Sequence, residues 1–387
     1  MSDAARLARV RRVIAAGARI ADPMDALGVE ARARLPAASG LSTQGVELAL
    51  GEHLEVAPSD EALRALLASC GEAPRCHLVL SANVCTAPLR ALALAAATAP
   101  SVAVRPSRRD PVVADLLVRA LQDDAQARAA PLEIEKVAEV APGGGDELHV
   151  YGSDETIAAF RRRAVGTQRG GAVVLRGHGT GIGVALIEAD AEVERVAAAL
   201  ARDVVPFDQQ GCLSPRFALV AGGPARAETF AAALAAHLGA LGQRVPRGPL
   251  DEAQRAALAA WADTFRAVGE VDVGEHHLVA VDGAPRALLL PPAARAVCVA
   301  AAEPADVARL LVAYAPHVAA TGVAGLPTAA LGPTPRASAE PALDAVEGTL
   351  ARALRSIAPR ARWSPLGSMQ RPALDGPVDL RTVRETI

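Results

Sequence analysis

The chain has 387 residues, enough for two domains with substantial cores, of which 51% are apolar and whose formal net charge is −3. Aromatic residues make up only 2%, and a slightly acidic chain with so few stacking platforms excludes nucleic-acid binding as the expected role. Arginine nearly replaces lysine: Lys136 is the single lysine, inside the charged stretch Glu133-Ile134-Glu135-Lys136, so Schiff-base catalysis is not expected.

In chain order, Met1-Ser2-Asp3-Ala4-Ala5-Arg6 leads into an arginine-studded helix that lacks the apolar core of a signal peptide. Residues 1 to about 70 read as helices and turns, with Glu61 to Leu67 amphipathic. From His77 the pattern becomes strand, loop, helix, repeated. His77 to Leu80 is a strand and Ala87 to Ala97 a helix; Ser101 to Val104 is a strand and Pro111 to Leu121 a helix. Val137 to Val140 is expected as a third strand, Glu147 to Tyr151 as a fourth followed by a helix over Ser153 to Arg163, and Gly171 to Leu175 as a fifth. Short apolar strands alternating with helices imply a parallel sheet with ligands at the strands' carboxyl ends. The longest apolar stretch, Ala91 to Val104, contains Pro100 and is too short to span a bilayer. A soluble, cytoplasmic protein is expected.

Arg176-Gly177-His178-Gly179-Thr180-Gly181-Ile182-Gly183 follows the fifth strand. Its glycines miss the dinucleotide fingerprint, since the third glycine of G-x-G-x-x-G would fall at Ile182 or Val184. The run reads instead as a flexible connector passing close to the active site, with Val184 to Asp190 as another strand. After Arg216 to Ala221, a buried strand, come helices at Arg226 to Leu241 and Asp251 to Val268, strands at His277 to Val281 and Ala296 to Ala301, and a helix at Pro304 to Tyr314. Pro327 to Pro341 is loop-rich.

The five cysteines, Cys70, Cys76, Cys85, Cys212 and Cys298, are odd in number and irregularly spaced without a C-x-x-C pair. Neither a disulfide framework nor a metal site is expected. Cys212 stands out. It follows Gly211 on a short polar turn, Phe207-Asp208-Gln209-Gln210-Gly211-Cys212-Leu213-Ser214-Pro215, between two apolar runs, where a thiol is accessible and its own N–H can point at a developing oxyanion. His178 and Cys85 are weighed as neighbours of the site; Arg108, Arg109 and Arg161-Arg162-Arg163 read as solvated faces, and His276-His277 as structural.

Five motifs in order carry a family resemblance. They are Ser81-Ala82-Asn83-Val84, Val104-Arg105-Pro106-Ser107 with Asp110-Pro111, Tyr151-Gly152-Ser153, Asp208 to Pro215, and Met369-Gln370-Arg371-Pro372 with Leu374-Asp375-Gly376. From about residue 40 onward the chain resembles the aldehyde dehydrogenase superfamily, and within it the fatty-acyl-CoA reductases of bacterial bioluminescence systems, whose nucleophile motif has the form Gln-Gln-x-Cys-x-Ser-Pro. The resemblance implies an α/β, aldehyde-dehydrogenase-like fold of two α/β domains. These are a Rossmann-like cofactor domain with N-terminal helices over residues 1–178 and a catalytic cysteine domain over 179–340. A C-terminal segment over 341–387 serves as a return or oligomerisation element.

It further implies reduction of an acyl-CoA or other acyl thioester to the aldehyde through a cysteine acyl-enzyme. Cys212 is then the nucleophile and Asn83 part of the oxyanion hole, while Arg105, Ser107, Gly152 and Ser153 hold the cofactor. Arg105 replaces the family's lysine, and a guanidinium matches a 2′-phosphate bidentately, so NADPH is favoured over NADH. Where the superfamily has a Glu-Leu-Gly-Gly segment, whose glutamate activates water, this chain has Leu175-Arg176-Gly177-His178. The implied partners are an acyl-CoA or acyl-carrier substrate, a second copy of the chain, and an acyl-transferring enzyme. The rival readings are a non-acylating aldehyde dehydrogenase and a non-catalytic homologue acting as an interaction subunit.

Overall fold

A computed structural model of the chain describes residues 2–123, 131–166, 171–324, 349–382 and 384–387; the loop expected at Pro327 to Pro341 lies outside them. Two compact units result, Met1–Thr180 with Ala373–Val378 and Thr382–Ile387, and Gly181–Pro372 with Asp379–Arg381.

The first unit begins with helices α1 (Asp3–Ala21), α2 (Ala26–Ser39), α3 (Thr43–Glu52) and α4 (Asp60–Ser69). Each starts where a serine or aspartate side chain, Ser2, Asp25, Ser42 or Ser59, accepts a first-turn N–H that the helix leaves unpaired. They are followed by β1 (Arg75–Val79), α5 (Ala87–Thr98), β2 (Ser101–Arg105), α6 (Val112–Gln122), β3 (Glu133–Lys136), β4 (Glu147–Tyr151), α7 (Asp154–Gly166) and β5 (Val174–His178). Arg6 and Arg9 on α1 are buried because their Nε atoms donate to Ala97 O (2.8 Å) and Ala96 O (2.7 Å). Those are carbonyls of the last turn of α5, the negative end of its dipole.

The five strands pair in parallel in the order β5-β4-β1-β2-β3, and a C-terminal strand, Arg384–Thr386, adds antiparallel to β5. The order reverses between β1 and β4, so the carboxyl ends of these two strands open a crevice where doubly wound sheets bind ligands. The third strand falls on Glu133–Lys136 rather than on Val137 to Val140. It is an edge strand pairing only with β2, and burying Ile134 alone it needs no apolar run. The fifth lies three residues later than expected and takes in Arg176, Gly177 and His178.

The second unit contains β6 (Ile182–Ile187), α8 (Val193–Val204), β7 (Pro215–Val220), α9 (Pro224–Arg244), α10 (Glu252–Phe265), β8 (Glu270–Val273), β9 (Leu278–Asp282), β10 (Ala296–Ala301), α11 (Pro304–Leu311), β11 (Val318–Ala324), α12 (Leu350–Ile357) and β12 (Arg362–Pro365). The sheet order is β12-β11-β6-β7-β10-β9-β8, parallel except for the β8–β9 edge. β6 and β10 are buried along their whole length, which explains their unbroken apolar sequences. β8, β11 and β12 went unread. β8 is a charged edge strand, and β11 is built of small residues around Gly322, where a methyl group would sit 2.5 Å from Met369 Sδ. The described part of residues 341–387 is divided between the units: α12 and β12 belong to the second, the terminal strand to the first.

On one face of the first sheet, in register, lie Glu147, His149 and Tyr151 of β4 beside Arg176 and His178 of β5. The Glu147 carboxylate is fully buried and accepts from His149 Nε2 (2.9 Å) and from Arg384 Nη2 (2.8 Å) on the terminal strand. Burial alone would raise its pKa, but the bonds from His149 and Arg384 overcome that and hold it at about 2. His149 and His178 are pushed below the ordinary histidine value, chiefly by burial, and are neutral near pH 7. Folded Glu147 therefore resists protonation that the unfolded chain accepts. Its contribution is complete above the ordinary carboxylate pKa of about 4.3 and drains away as pH falls towards 2. The two histidines begin to oppose folding earlier, below about pH 6.5. Denaturant melts at stepped pH should show stability falling from pH 7 to 5 and falling again below pH 4.5. In Glu147→Gln the second fall should flatten, with a loss of about 3–5 kcal/mol at pH 7, because Arg384 and Arg176 are left beside an uncharged group.

Candidate active site

Cys212 owes its position to a locked turn. α8 ends at Val204, and a 3₁₀ turn over Pro206–Gln209 carries Phe207, Asp208 and Gln209 at φ 54°, 48° and 64°. Left-handed backbone costs an L-residue about 1–2 kcal/mol, so three in a row persist only where the surroundings determine them. Asp208 does most of this. Its carboxylate accepts from Arg295 Nε (2.9 Å), Arg295 Nη2 (2.7 Å) and Gly248 N (2.9 Å), and its carbonyl accepts from Ala294 N (3.0 Å). Arg295 is 1% exposed and also donates to Val245 O (2.7 Å). Gln209, wholly buried, donates from Nε2 to Pro215 O (2.6 Å) and Ala296 O (2.7 Å) and accepts Ala296 N at Oε1 (2.9 Å). Ala294 and Arg295 are themselves left-handed, and among the described residues these two facing segments hold every non-glycine with positive φ.

The expected polar, exposed turn is thus a buried one in which Cys212 is half-exposed between buried Gly211 and Leu213. Ser214 N–H donates to Gly211 O (3.1 Å), closing the turn around the cysteine. No cysteine is in a disulfide. Burial raises the thiol pKa of the other four, to about 12 for Cys85 and Cys298, which makes them poor nucleophiles. Cys212 lies at the amino edge of its sheet, just before β7, rather than at the carboxyl ends where parallel sheets usually bind ligands.

The glycine run is not a loose connector. Its first part is strand β5, and Gly181 and Gly183 occupy positions with no room for a side chain. A methyl group on Gly181 would sit 2.8 Å from Cys212 Cβ, 2.9 Å from Ala319 Cβ and 3.0 Å from Arg381 Nη2. On Gly183 it would run into the Leu213 carbonyl, while Gly183 N donates to Ser214 O (2.8 Å). The starts of β6 and β11 are therefore pressed against the cysteine turn.

In the first unit, Asn83 follows β1 and is exposed. Arg109 Nη2 donates to its Oδ1 (3.2 Å) and to Ala82 O (3.3 Å), while Ser107 Oγ accepts Arg109 N (3.2 Å). Ser107, Arg109 and Asn83 thus form one chain of contacts, which turns the amide nitrogen of Asn83 away from Arg109. No local pattern marks this arrangement, and by its neighbours Arg109 reads as a solvated charge. Arg105, at the carboxyl end of β2, lies over the Phe160 ring of α7 (5.7 Å). Gly152 N donates to His178 O (3.1 Å), and Ser153 Oγ accepts Thr156 N (3.3 Å), capping α7. Asp154, in the first turn, accepts Thr180 N (3.1 Å). His178 stacks on Tyr151 (4.0 Å, 3° between planes), and its neutral ring carries no charge with which to lower a thiol pKa. Asn83, Arg105, Ser107, Gly152 and Ser153 belong to one unit and Cys212 to the other. Among the described residues no cluster of His, Cys, Asp or Glu is placed to hold a metal ion, and no helix is long and apolar enough to cross a membrane.

Two outcomes follow from the locked turn. Asp208→Ala strands the Arg295 charge and should lower unfolding free energy by about 3–5 kcal/mol, whereas Asp306→Ala at the exposed pair with Arg309 should cost no more than about 1. Gly181→Ala should leave the secondary structure unchanged by circular dichroism, yet slow alkylation of Cys212 by iodoacetamide, because Cys212 and Ala319 must separate to admit the methyl group.

No curated protein matches the chain in sequence. The model of the family described as Acyl-CoA reductase (LuxC) matches residues 69–332. Among solved structures, the chain is similar over its whole length to a NAD-dependent benzaldehyde dehydrogenase from Corynebacterium glutamicum, with 16% identity, 84% of that chain covered and a TM-score of 0.63. An oxidoreductase from Marinobacter aquaeolei aligns with 11% identity, 86% coverage and a TM-score of 0.67. Glyceraldehyde-3-phosphate dehydrogenase GapN from Methanocaldococcus jannaschii, complexed with NADP, aligns with 11% identity, 90% coverage and a TM-score of 0.63, and again all of this chain is covered. The fold is that of the aldehyde dehydrogenase superfamily, and with two thirds of its length matched by the family model the chain belongs to the LuxC family of acyl-CoA reductases and is an oxidoreductase.

Proposed function

We propose that the protein reduces an acyl thioester, such as an acyl-CoA, to the aldehyde through a covalent acyl group on Cys212. The observation that carries this reading is the contrast among the five cysteines: Cys76, Cys85 and Cys298 are buried, desolvation raises the thiol pKa of these three and of partly exposed Cys70, and half-exposed Cys212 stands on a turn held by Asp208, Gln209 and Arg295. That rigidity suits a nucleophile, because a reacting atom must be positioned before substrate arrives. The Cys212 thiolate attacks the thioester carbonyl. The carbon–sulfur bond to the leaving thiol breaks, that thiolate takes up a proton, and the acyl group remains on Cys212. The Cys212 N–H serves the oxyanion, and for Asn83, whose Oδ1 accepts from Arg109, the family resemblance implies the same role. Addition of hydride to the acyl carbon, followed by cleavage of its bond to the Cys212 sulfur, then releases the aldehyde and restores the thiolate.

The first unit fits a nicotinamide dinucleotide. Arg105 and Ser107 follow β2, Gly152 and Ser153 follow β4 at the point where the strand order reverses, and the N-terminus of α7 directs its dipole there. When bound, such a cofactor supplies the hydride. Arg105 favours a 2′-phosphate and hence NADPH, with NADH the weaker donor. Where the Glu-Leu-Gly-Gly segment of the aldehyde dehydrogenases carries its hydrolytic glutamate, this chain has Leu175, buried inside β5. No carboxylate stands in this stretch to activate water against the acyl group, and the His178 ring is buried against Tyr151, which supports aldehyde rather than acid as product.

Incubation with a panel of acyl-CoAs should add one acyl mass to the peptide carrying Cys212, and addition of NADPH should release aldehyde. Cys212→Ala should lose both, with aldehyde formation down by more than about a thousandfold; undiminished aldehyde formation in that variant overturns the proposal. Arg105→Leu should raise KM for NADPH about tenfold and leave KM for NADH nearly unchanged.

A further inference from the structure

We propose that Arg381 is the positioning residue that supports the thiolate of Cys212. The inference rests on the reading of Cys212 as the acyl-accepting nucleophile and names the group that activates it.

Three atoms converge on the space above Gly181: Cys212 Cβ at 2.8 Å, Ala319 Cβ at 2.9 Å and Arg381 Nη2 at 3.0 Å from the place its missing methyl group would take. The guanidinium and the thiol-bearing carbon therefore both border one small space, kept open by a glycine. A cation at about 4–6 Å from a thiol favours the charged form, typically by enough to change the thiolate fraction near neutral pH tenfold or more. The cation is also fixed. Arg381 Nε and Nη2 donate to the two Asp379 oxygens (2.8 and 2.6 Å), Nη1 donates to Pro316 O (2.6 Å), and Arg381 N donates to Asp379 Oδ1 (2.9 Å). Asp379 is 3% exposed. Asp379–Arg381 belongs to the unit of Cys212, while the residues just before and after it, Ala373–Val378 and Thr382–Ile387, belong to the other. The tail thus returns for three residues and places an arginine beside the nucleophile.

Other charged or titratable groups on the elements packed around the cysteine turn have different engagements: Asp203 of α8, its pKa raised to about 7 by burial, accepts Gly367 N (2.6 Å) and Met369 N (2.8 Å). Asp208 and Arg295 neutralise each other. Arg216 on β7 donates to Pro291 O (2.9 Å). His317 lies in the short turn before β11, next to the Pro316 carbonyl that Arg381 holds. Asp379 offsets part of the Arg381 charge, so its removal tests the same coupling with the opposite sign.

The test is the pH profile of iodoacetamide alkylation of Cys212, followed on its own peptide by mass spectrometry in the full-length protein. Arg381→Met should slow alkylation at pH 7 about tenfold and move the midpoint upward, with a lower melting temperature because buried Asp379 loses the Arg381 guanidinium, and Arg381→Lys should recover most of the rate. A profile in Arg381→Met that superimposes on the wild type overturns the proposal, as does a shift that Arg381→Lys fails to reverse. Should Arg381→Met not fold, Asp379→Asn decides: a lowered midpoint supports the coupling, and an unchanged or raised one overturns it. Acyl-CoA labelling separates the two readings. Wild-type protein with the expected alkylation profiles but no acyl uptake removes the proposed reaction and leaves the charge coupling. Acyl uptake combined with alkylation indifferent to residue 381 removes only the role of Arg381.

Discussion

The buried ion pair between Asp208 and Arg295 is the constraint on which the cysteine turn depends. Three left-handed residues before Cys212 face two more at Ala294 and Arg295, and none is a glycine. Such backbone is unfavourable by itself. It is held because one carboxylate satisfies two guanidinium nitrogens and a backbone N–H, while the Gln209 side chain bonds both to the start of β7 and to the start of β10. Buried ion pairs often contribute little net stability, and their more secure use is to select one arrangement over others. Here the arrangement selected is the one that lifts Cys212 out of an otherwise buried turn.

Glycine plays the complementary part. Gly181 and Gly183 exist to leave room, so that the first residues of β6 can lie against Cys212 and Leu213. The run that looks like a phosphate loop in sequence is a packing device in space. Its glycines miss the dinucleotide spacing because they are spaced by what they touch, and every second residue of a strand points to the same face.

Most of the α/β alternation was legible, because parallel strands buried on both faces must be short apolar runs and the helices between them must be amphipathic. β2, β7, β9 and β10 carry that mark, whereas β4 is apolar on one face only and bears Glu147, His149 and Tyr151 on the other. The edges did not. β3 and β8 pair on one side only and tolerate charge, so neither Glu133–Lys136 nor Glu270–Val273 shows the apolar run of a buried strand. β11 is built from small residues whose partner surface, Met369 among them, lies far along the chain. Arg109 escaped for a related reason. Its contact with Asn83 joins the loops after β1 and β2, and nothing in either loop records that the two strands are neighbours.

The sequence by itself determined the chemistry available: a glycine-preceded cysteine in a Gln-Gln-x-Cys-x-Ser-Pro motif, an Asn-Val pair, a Gly-Ser turn, and no acidic residue in the Leu175 to His178 stretch. Residue types and their order are local properties, and a family's motifs are written in them. The tertiary structure alone decided which side chains stand together. It made Gln209 a brace of the cysteine turn and turned His178 into a neutral stacked ring. It also drew Arg381, nearly 170 positions away, to the gap beside Cys212. Distances of that kind depend on sheet order and on the return path of the tail, and a linear pattern of residues carries neither.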